Sequence, residues 1–322
     1  SRHLLSGFCI LEWSIFQIKP NGLIPMTIEK QAVHFHTRAI KISAWMMKKQ
    51  GLRSPAPAIV MGPGLSGVKD CIYDLIAGVL AAADYVVVLF DYPGFGESEG
   101  LPQQEVNPDL QIETYRAAFD FLSSQQGVDT NRIGLWGGSY SGSHALVAAS
   151  LENRVRCVVA MTPFVSGSAH WQSLSDKMRI RLSALFEKEE EQLQASEQPS
   201  LIPVVSNDPH VFCMLPGPSA YQFGMFCKQQ SEYWRNEVTL NSLAMHFRYD
   251  PIRWVPDIQA PVLMQIAEED ELIPASESKR LYQALHVVKE FRTIPGNHFS
   301  PYQTCRDLAM TQAINWFDRH LK

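Results

Sequence analysis

The 322-residue chain has no C-x-x-C pair, no N-x-S/T sequon, no block of lysine or arginine, and no internal repeat. It also lacks an apolar run near the ~18 residues that a membrane-spanning helix needs. Without a basic block, and at a net charge of −5, a nucleic-acid partner is not expected. Six cysteines (Cys9, Cys71, Cys157, Cys213, Cys227, Cys305) are scattered along the chain, and a chain of this length needs no disulfide staples. With no glycosylation sequon either, the expected setting is reducing and cytoplasmic. Metal-ligand spacing is equally scarce. The "HFH" run places His34 and His36 on one strand face, but no matching ligand cluster follows, so a plain strand face is expected, with no metal and no cofactor. The longest charge run, "EKEEEQ" at 187–192, reads as a solvated helix face.

Enough remains to build a large core: apolar residues make up 46% of the chain and charged ones 19%, an ordinary soluble composition. The N-terminus "SRHLLSGFCILEWSIF" looks like a signal sequence, but Glu12 interrupts it and no small-residue cleavage site follows. Residues 1–25 are therefore read as an appended segment needing a surface to lie on, such as a partner subunit in a homodimer.

From "AVHFHT" and "AIKISAWMM", an antiparallel strand pair is expected at a sheet edge. A regular alternation follows. "APAIVMG", "YVVVLFD", "RIGLWG" and "VRCVVAM" read as buried strands, and "DCIYDLIAGVLAAA", "PDLQIETYRAAFDFLSSQ" and "SGSHALVAASL" as helices. Continuous β-branched runs alternating with amphipathic helices imply an α/β fold, with a mostly parallel sheet covered on both faces. The rhythm stops after Met161 and resumes with "APVLMQIA", "SESKRLYQALH", "KEFRTIP" and "CRDLAMTQAINWFDRHL". Residues 26–163 and 256–322 thus form the core. Residues 164–255 are an insertion between the sixth and seventh strands, placed to act as a lid.

Ligands of open α/β sheets bind beyond the carboxyl ends of the strands, so the residues at those ends matter most. After "RIGLWG" stands "GSYSG", after "APVLMQIA" stands "EEDELIP", and after "KEFRTIP" stands "GNHFS". Taken in chain order they supply Ser139, Asp270 and His298, the order nucleophile, acid, histidine of an α/β-hydrolase. A serine hydroxyl needs a base of near-neutral pKa, and the base needs a carboxylate to fix its tautomer. The small residues around Ser139 suit a sharp strand-to-helix turn that pushes one side chain outward. The usual pattern is G-x-S-x-G; here Ser141 replaces the last glycine and stands as a rival nucleophile. Asp270 is preferred over Glu268, Glu269 and Glu271 because it precedes "ELIP", where the chain turns into a helix. His144, in the helix after the turn, is read as packing or as support for the residues that touch the substrate. The Tyr140 N–H is expected as one oxyanion donor and Leu65, in "GPGLSG", as the other. "GFGESEG" offers a dinucleotide-like glycine pattern, but its spacing is G-x-G-x-x-x-G and Leu101-Pro102 follows in place of a helix.

Together, "GPGLSGVKD", "LFDYPGFGESEG", "RIGLWGGSYSGSHAL", "WRNEVTLNS", "EEDELIP" and "PGNHFSPY" resemble the α/β-hydrolases of fungal polyketide pathways. That family includes polyketide transferases and hydrolases or thiohydrolases, with bacterial esterase-like relatives. The resemblance runs from about residue 30 to the C-terminus. Pro63, Pro93 and Ser141 depart from the family's usual residues. It implies a serine enzyme acting on a small-molecule acyl substrate, free or carrier-bound.

Three functions follow as expectations. The first is hydrolysis of an ester or thioester of a bulky apolar, polyketide-like acyl group through an acyl-Ser139 intermediate. The second passes the same acyl group to an alcohol or amine. The third is a non-covalent binding or cyclase-type scaffold. The insertion is rich in aromatic residues, and Trp171, Phe223 and Trp234 are the candidates for the substrate wall.

Overall fold

A computed structural model describes residues 13–19, 22–195 and 198–322. Its central sheet has nine strands in the order β1-β2-β3-β5-β4-β6-β7-β10-β11. Three edge strands lead the chain: β1 (Trp13–Lys19), β2 (Gly22–Thr37) and β3 (Ile40–Lys49). They pair antiparallel in sequence, and β3 joins antiparallel to β5 (Val86–Phe90). From there the sheet is parallel through β4 (Ala56–Gly62), β6 (Val128–Gly138), β7 (Val158–Met161), β10 (Val262–Ala267) and β11 (Lys289–Ile294).

Every residue of β4, β5, β7 and β10 is buried, as expected for strands with helices on both faces. The covering helices are α1 (Tyr73–Ala82), α2 (Pro108–Ser123), α3 (Tyr140–Leu151), α8 (Ala275–Ala284) and α9 (Arg306–Leu321). α2 starts where Pro108 fixes the first turn and the Asn107 side chain accepts from the Leu110 N–H at 3.1 Å. α3 differs: all its residues from Tyr140 to Ala149 are buried and no side chain caps its N-terminus. A helix so enclosed belongs to the core, and its first N–H groups remain for something else.

Two sequence expectations meet a different arrangement. The antiparallel edge carries three strands, because residues 13–19 of the 1–25 segment pair with β2 in the chain's own sheet. Residues 1–12 of that segment lie outside the described residues. With that extra strand, the insertion expected between the sixth and seventh strands falls between the seventh and eighth of the sheet, β7 and β10, and holds α4 (Gly167–Ser173), α5 (Asp176–Gln194), α6 (Pro218–Gln230) and α7 (Leu240–Arg248). Two residue pairs there, β8 (Leu201–Ile202) and β9 (Val238–Thr239), form a small antiparallel ladder. No helix among the described residues is long and apolar enough to cross a membrane.

Candidate active site

Three loops at the carboxyl edge of the sheet meet at one point. β6 ends at Gly138 and α3 begins at Tyr140, so the whole reversal falls on Ser139, with φ +56° and ψ −121°. A non-glycine residue at positive φ is strained and needs support from its surroundings. The Ser139 N–H donates to the Met161 carbonyl at the end of β7, 2.7 Å away. The flanking glycines are steric necessities: a Cβ on Gly137 would overlap the Ser141 carbonyl, and one on Gly138 would overlap the Tyr302 hydroxyl.

The turn delivers the Ser139 hydroxyl to His298. His298 Nε2 lies 3.0 Å from Ser139 Oγ, and its Nδ1 lies 2.8 and 3.0 Å from the two Asp270 carboxylate oxygens. The Leu272 and Ile273 N–H groups donate to Asp270 Oδ1 at 3.0 and 2.8 Å. That is the turn "ELIP" makes, and it aims one carboxylate while Glu268 and Glu269 stay exposed. The imidazole is 1% exposed, so its hydrogen bonds are exchanged little with water. Such a chain can take the serine proton and hold the resulting imidazolium.

Ser141 points elsewhere. Its fully buried hydroxyl donates to the Pro63 carbonyl and shares a hydrogen bond with Tyr92. It thus ties α3 to the 63–67 loop and stands away from His298. In that loop the Gly64 N–H donates to Tyr73 Oη at 2.9 Å. Leu65 lines the space beside Ser139 together with Gly64, Ser66 and Gly67. The Tyr140 amide opens α3, where the helix provides it no acceptor. Both expected oxyanion donors therefore stand on segments bordering Ser139.

The "GFGESEG" glycines wrap a carboxylate rather than a phosphate. Asp91 accepts from the Lys69 and Glu97 N–H groups at 2.7 and 3.0 Å, and from Lys69 Nζ at 2.5 Å. Gly96 has φ +55°, and a Cβ there would overlap the Asp91 carboxylate. Lys69 and Asp91 are each 1% exposed, and Lys69 Nζ also bonds Glu97 at 2.6 Å. Residues quoted from "GPGLSGVKD" and "LFDYPGFGESEG" are thereby locked to each other. His144 is likewise structural: it bonds Gln111 and Tyr249 at 2.9 Å each, and burial pulls its pKa down to about 3.

The cavity at Ser139 has a volume of about 40 Å³. Leu65, Tyr73, Phe299 and Tyr302 face it from the core, and Val204, Val205, Leu215, Phe223 and Trp234 from the insertion. Phe223 stacks on Phe299 with ring centroids 4.5 Å apart. Phe223 and Trp234 are thus beside Ser139. Trp171 is not. It packs against Phe247 and Phe186, at 5.0 and 6.4 Å, and lines a separate open depression of about 630 Å³. α4 lies against α7 rather than over the triad, and apolar content alone does not distinguish those two contacts.

Three residues escaped the sequence reading. Glu271, there passed over in favour of Asp270, accepts from the His298 N–H at 3.2 Å and from the Ser219 hydroxyl in α6. Cys71 and Cys227 bring their sulfurs together at 2.7 Å across 156 positions of sequence. Neither pairing leaves a local signal. Among the described residues no cluster of three or more His, Cys, Asp or Glu could hold a metal.

With a serine on a strand-to-helix turn and a histidine–carboxylate pair behind it, comparison with known proteins is informative. The chain belongs to the α/β-hydrolase family: the model described as "alpha/beta hydrolase fold" matches residues 57–303. It is similar to the thiohydrolase aneE of Aspergillus aculeatus, 32% identical over 71% of this chain and 74% of that protein. It is also similar to the quorum-quenching protein AidA of Acinetobacter baumannii, 28% identical over 84% of this chain and 88% of that one. A third relative is the polyketide transferase claH of Penicillium crustosum, 28% identical over 76% and 81%. The protein is an enzyme of hydrolase or acyltransferase type.

Proposed function

We propose that the protein is a serine hydrolase that cleaves esters or thioesters of apolar acyl groups through an acyl-Ser139 intermediate. The observation that carries this reading is the 3.0 Å contact of Ser139 Oγ with His298 Nε2, backed by Asp270 on Nδ1. Ser139 Oγ attacks the acyl carbonyl while its proton passes to His298 Nε2. The carbonyl oxygen becomes an oxyanion held by the Tyr140 and Leu65 N–H groups. His298 then protonates the departing thiol or alcohol. Water, activated by the same imidazole, releases the acid.

Substrate class is read from the walls. Phe223, Trp234, Phe299, Tyr73 and Tyr302 favour an apolar acyl group. A polyketide-like chain is suggested by the name of claH; in this reading residues 164–255 act as a lid whose α6 moves away to admit it. Transfer of the acyl group to an alcohol or amine is the second reading. It is supported by the name of claH and by an apolar cavity that slows attack by water.

The test offers short- and long-chain acyl thioesters, with and without a hydrophobic alcohol, and quantifies acid against ester. Long-chain acid as main product supports hydrolysis. Ester outrunning acid would promote transfer, and a clear preference for acetyl thioester would overturn the assigned acyl class.

A further inference from the structure

Two cysteines that the acyl chemistry does not use meet where the insertion touches the core. Cys71 precedes α1 in the segment after the 63–67 loop, and Cys227 lies near the end of α6. Both are free thiols, each 3% exposed. Their sulfurs are 2.7 Å apart, against about 2.05 Å for a covalent S–S bond. Cys227 borders the same cavity as Ser139 and His298. Helical spacing puts Ala220, Phe223, Gly224 and Cys227 on one face of α6, and all four line that cavity.

We propose that Cys71 and Cys227 form a reversible disulfide that pins α6 to the core and restricts the cavity to short acyl groups. In the thiol form, hydrogen bonds tie the two ends of α6 to the core. Ser219 reaches Glu271 at one end, and the Ser231 hydroxyl donates to Asp70 at 2.6 Å at the other. Such bonds open and close readily, and α6 can lift with them. A covalent bond at Cys227 removes that motion at the end nearest the 63–67 loop.

Burial selects the oxidant. Cys71 and Cys227 are each 3% exposed, so a small molecule such as hydrogen peroxide reaches their sulfurs and a bulky disulfide such as oxidised glutathione does not. The Cys227 sulfur, as thiolate, attacks one peroxide oxygen; the O–O bond breaks, and the leaving hydroxide takes up a proton to become water. The Cys71 sulfur then attacks the Cys227 sulfenic acid, the S–O bond breaks, and a second water leaves. Two thiols and one peroxide become one disulfide and two waters. The adjacent Cys71 sulfur, and then burial, push the Cys227 thiol well above its ordinary pKa. Oxidation is therefore slow at neutral pH and quickens as pH rises. A dithiol reductant reverses it by exchange.

The disulfide stands independently of the acyl-Ser139 reading, whereas its effect on substrate size rests on it. The test uses the full chain, reduced and then treated with hydrogen peroxide. Non-reducing peptide mapping follows the crosslink, and short- and long-alkyl fluorophosphonates report access to Ser139. The expected result is a Cys71–Cys227 crosslinked peptide. Long-alkyl labelling slows by about tenfold or more while short-alkyl labelling stays within about twofold, and dithiothreitol restores both. Cys71→Ala, or Cys71→Ser should alanine impair folding, keeps the reduced rates and abolishes crosslink and redox response together. Folded protein without the crosslinked peptide would overturn the proposal. So would a crosslink that leaves the long-to-short ratio unchanged. Failure of both probes to label Ser139 in reduced protein would remove the acyl-serine reading and the size gate with it, while the peptide map still judges the disulfide.

Discussion

The two walls of the cavity are built by different means. On the core side, backbone geometry places the reacting groups: Ser139 at φ +56°, Gly137 and Gly138 with no room for a Cβ, and Asp270 aimed by two N–H groups. On the insertion side, Val204, Val205, Leu215, Phe223 and Trp234 offer side-chain surface, with hydrogen bonds and one thiol pair holding α6. A wall set by the backbone holds reacting atoms in place. A wall of side chains from the insertion sets volume, and can change it. In the proposed function, chemistry falls to one wall and substrate size to the other.

Breaking the core wall should therefore affect rate far more than selectivity. Ser139→Ala is expected to lower kcat by about 10⁶-fold, with His298→Ala as severe and the double variant no worse, since the two act as a unit. Asp270→Asn should cost about 10³- to 10⁴-fold by favouring the wrong tautomer of His298, with KM little changed. Steady-state kinetics on one thioester decide both. Ser141→Ala sharpens the contrast: it should melt lower, having lost two buried hydrogen bonds, yet keep kcat within about tenfold.

Changing the insertion wall should alter preference. Phe223→Ala removes the ring stacked on Phe299 and is expected to raise the long-to-short kcat/KM ratio by about tenfold. An unchanged ratio would place the acyl group elsewhere. Trp171→Ala should leave kcat/KM within about twofold and lower only stability, because its ring packs on Phe247 and Phe186.

The last expected effect concerns pH and reads the fold rather than the rate. Burial holds His144 and His246 neutral, with pKa values near 3 in the folded chain against 6.5 when free. Between those values the unfolded chain binds more protons, so stability rises with pH across that window and is level above it. Urea midpoints should fall on going from pH 7 to pH 5, and His144→Gln should weaken the fall. A His144→Gln midpoint that falls as far as that of the wild type would contradict the buried-neutral assignment of His144.

How much of this was legible in the sequence follows the same division. Ser139, Asp270 and His298 could be read from the chain because each stands just past a strand whose apolar run is continuous. A sharp turn demands small neighbours that composition reveals. Ser141 could not be separated from Ser139 by pattern alone; the carbonyl of Pro63 and the hydroxyl of Tyr92 make the distinction. Phe223 and Trp234 reach the cavity and Trp171 does not, since aromatic content says nothing about which way a helix of the insertion faces. Glu271 and the Cys71–Cys227 pair were invisible for a related reason: each joins the core to α6, and only tertiary packing sets that contact. "GFGESEG" resembled a phosphate cradle because a buried carboxylate such as Asp91 also needs backbone N–H donors and a glycine without a Cβ.

The central claim is that Ser139 carries the acyl group. The most direct measurement incubates the wild-type protein with a short-alkyl fluorophosphonate and locates the adduct by peptide mass mapping. The account predicts a single adduct on Ser139, absent from Ser139→Ala and from unfolded protein. An adduct on Ser141, or none on a folded protein that still binds acyl thioesters, would contradict it and leave the cavity a non-covalent binding site.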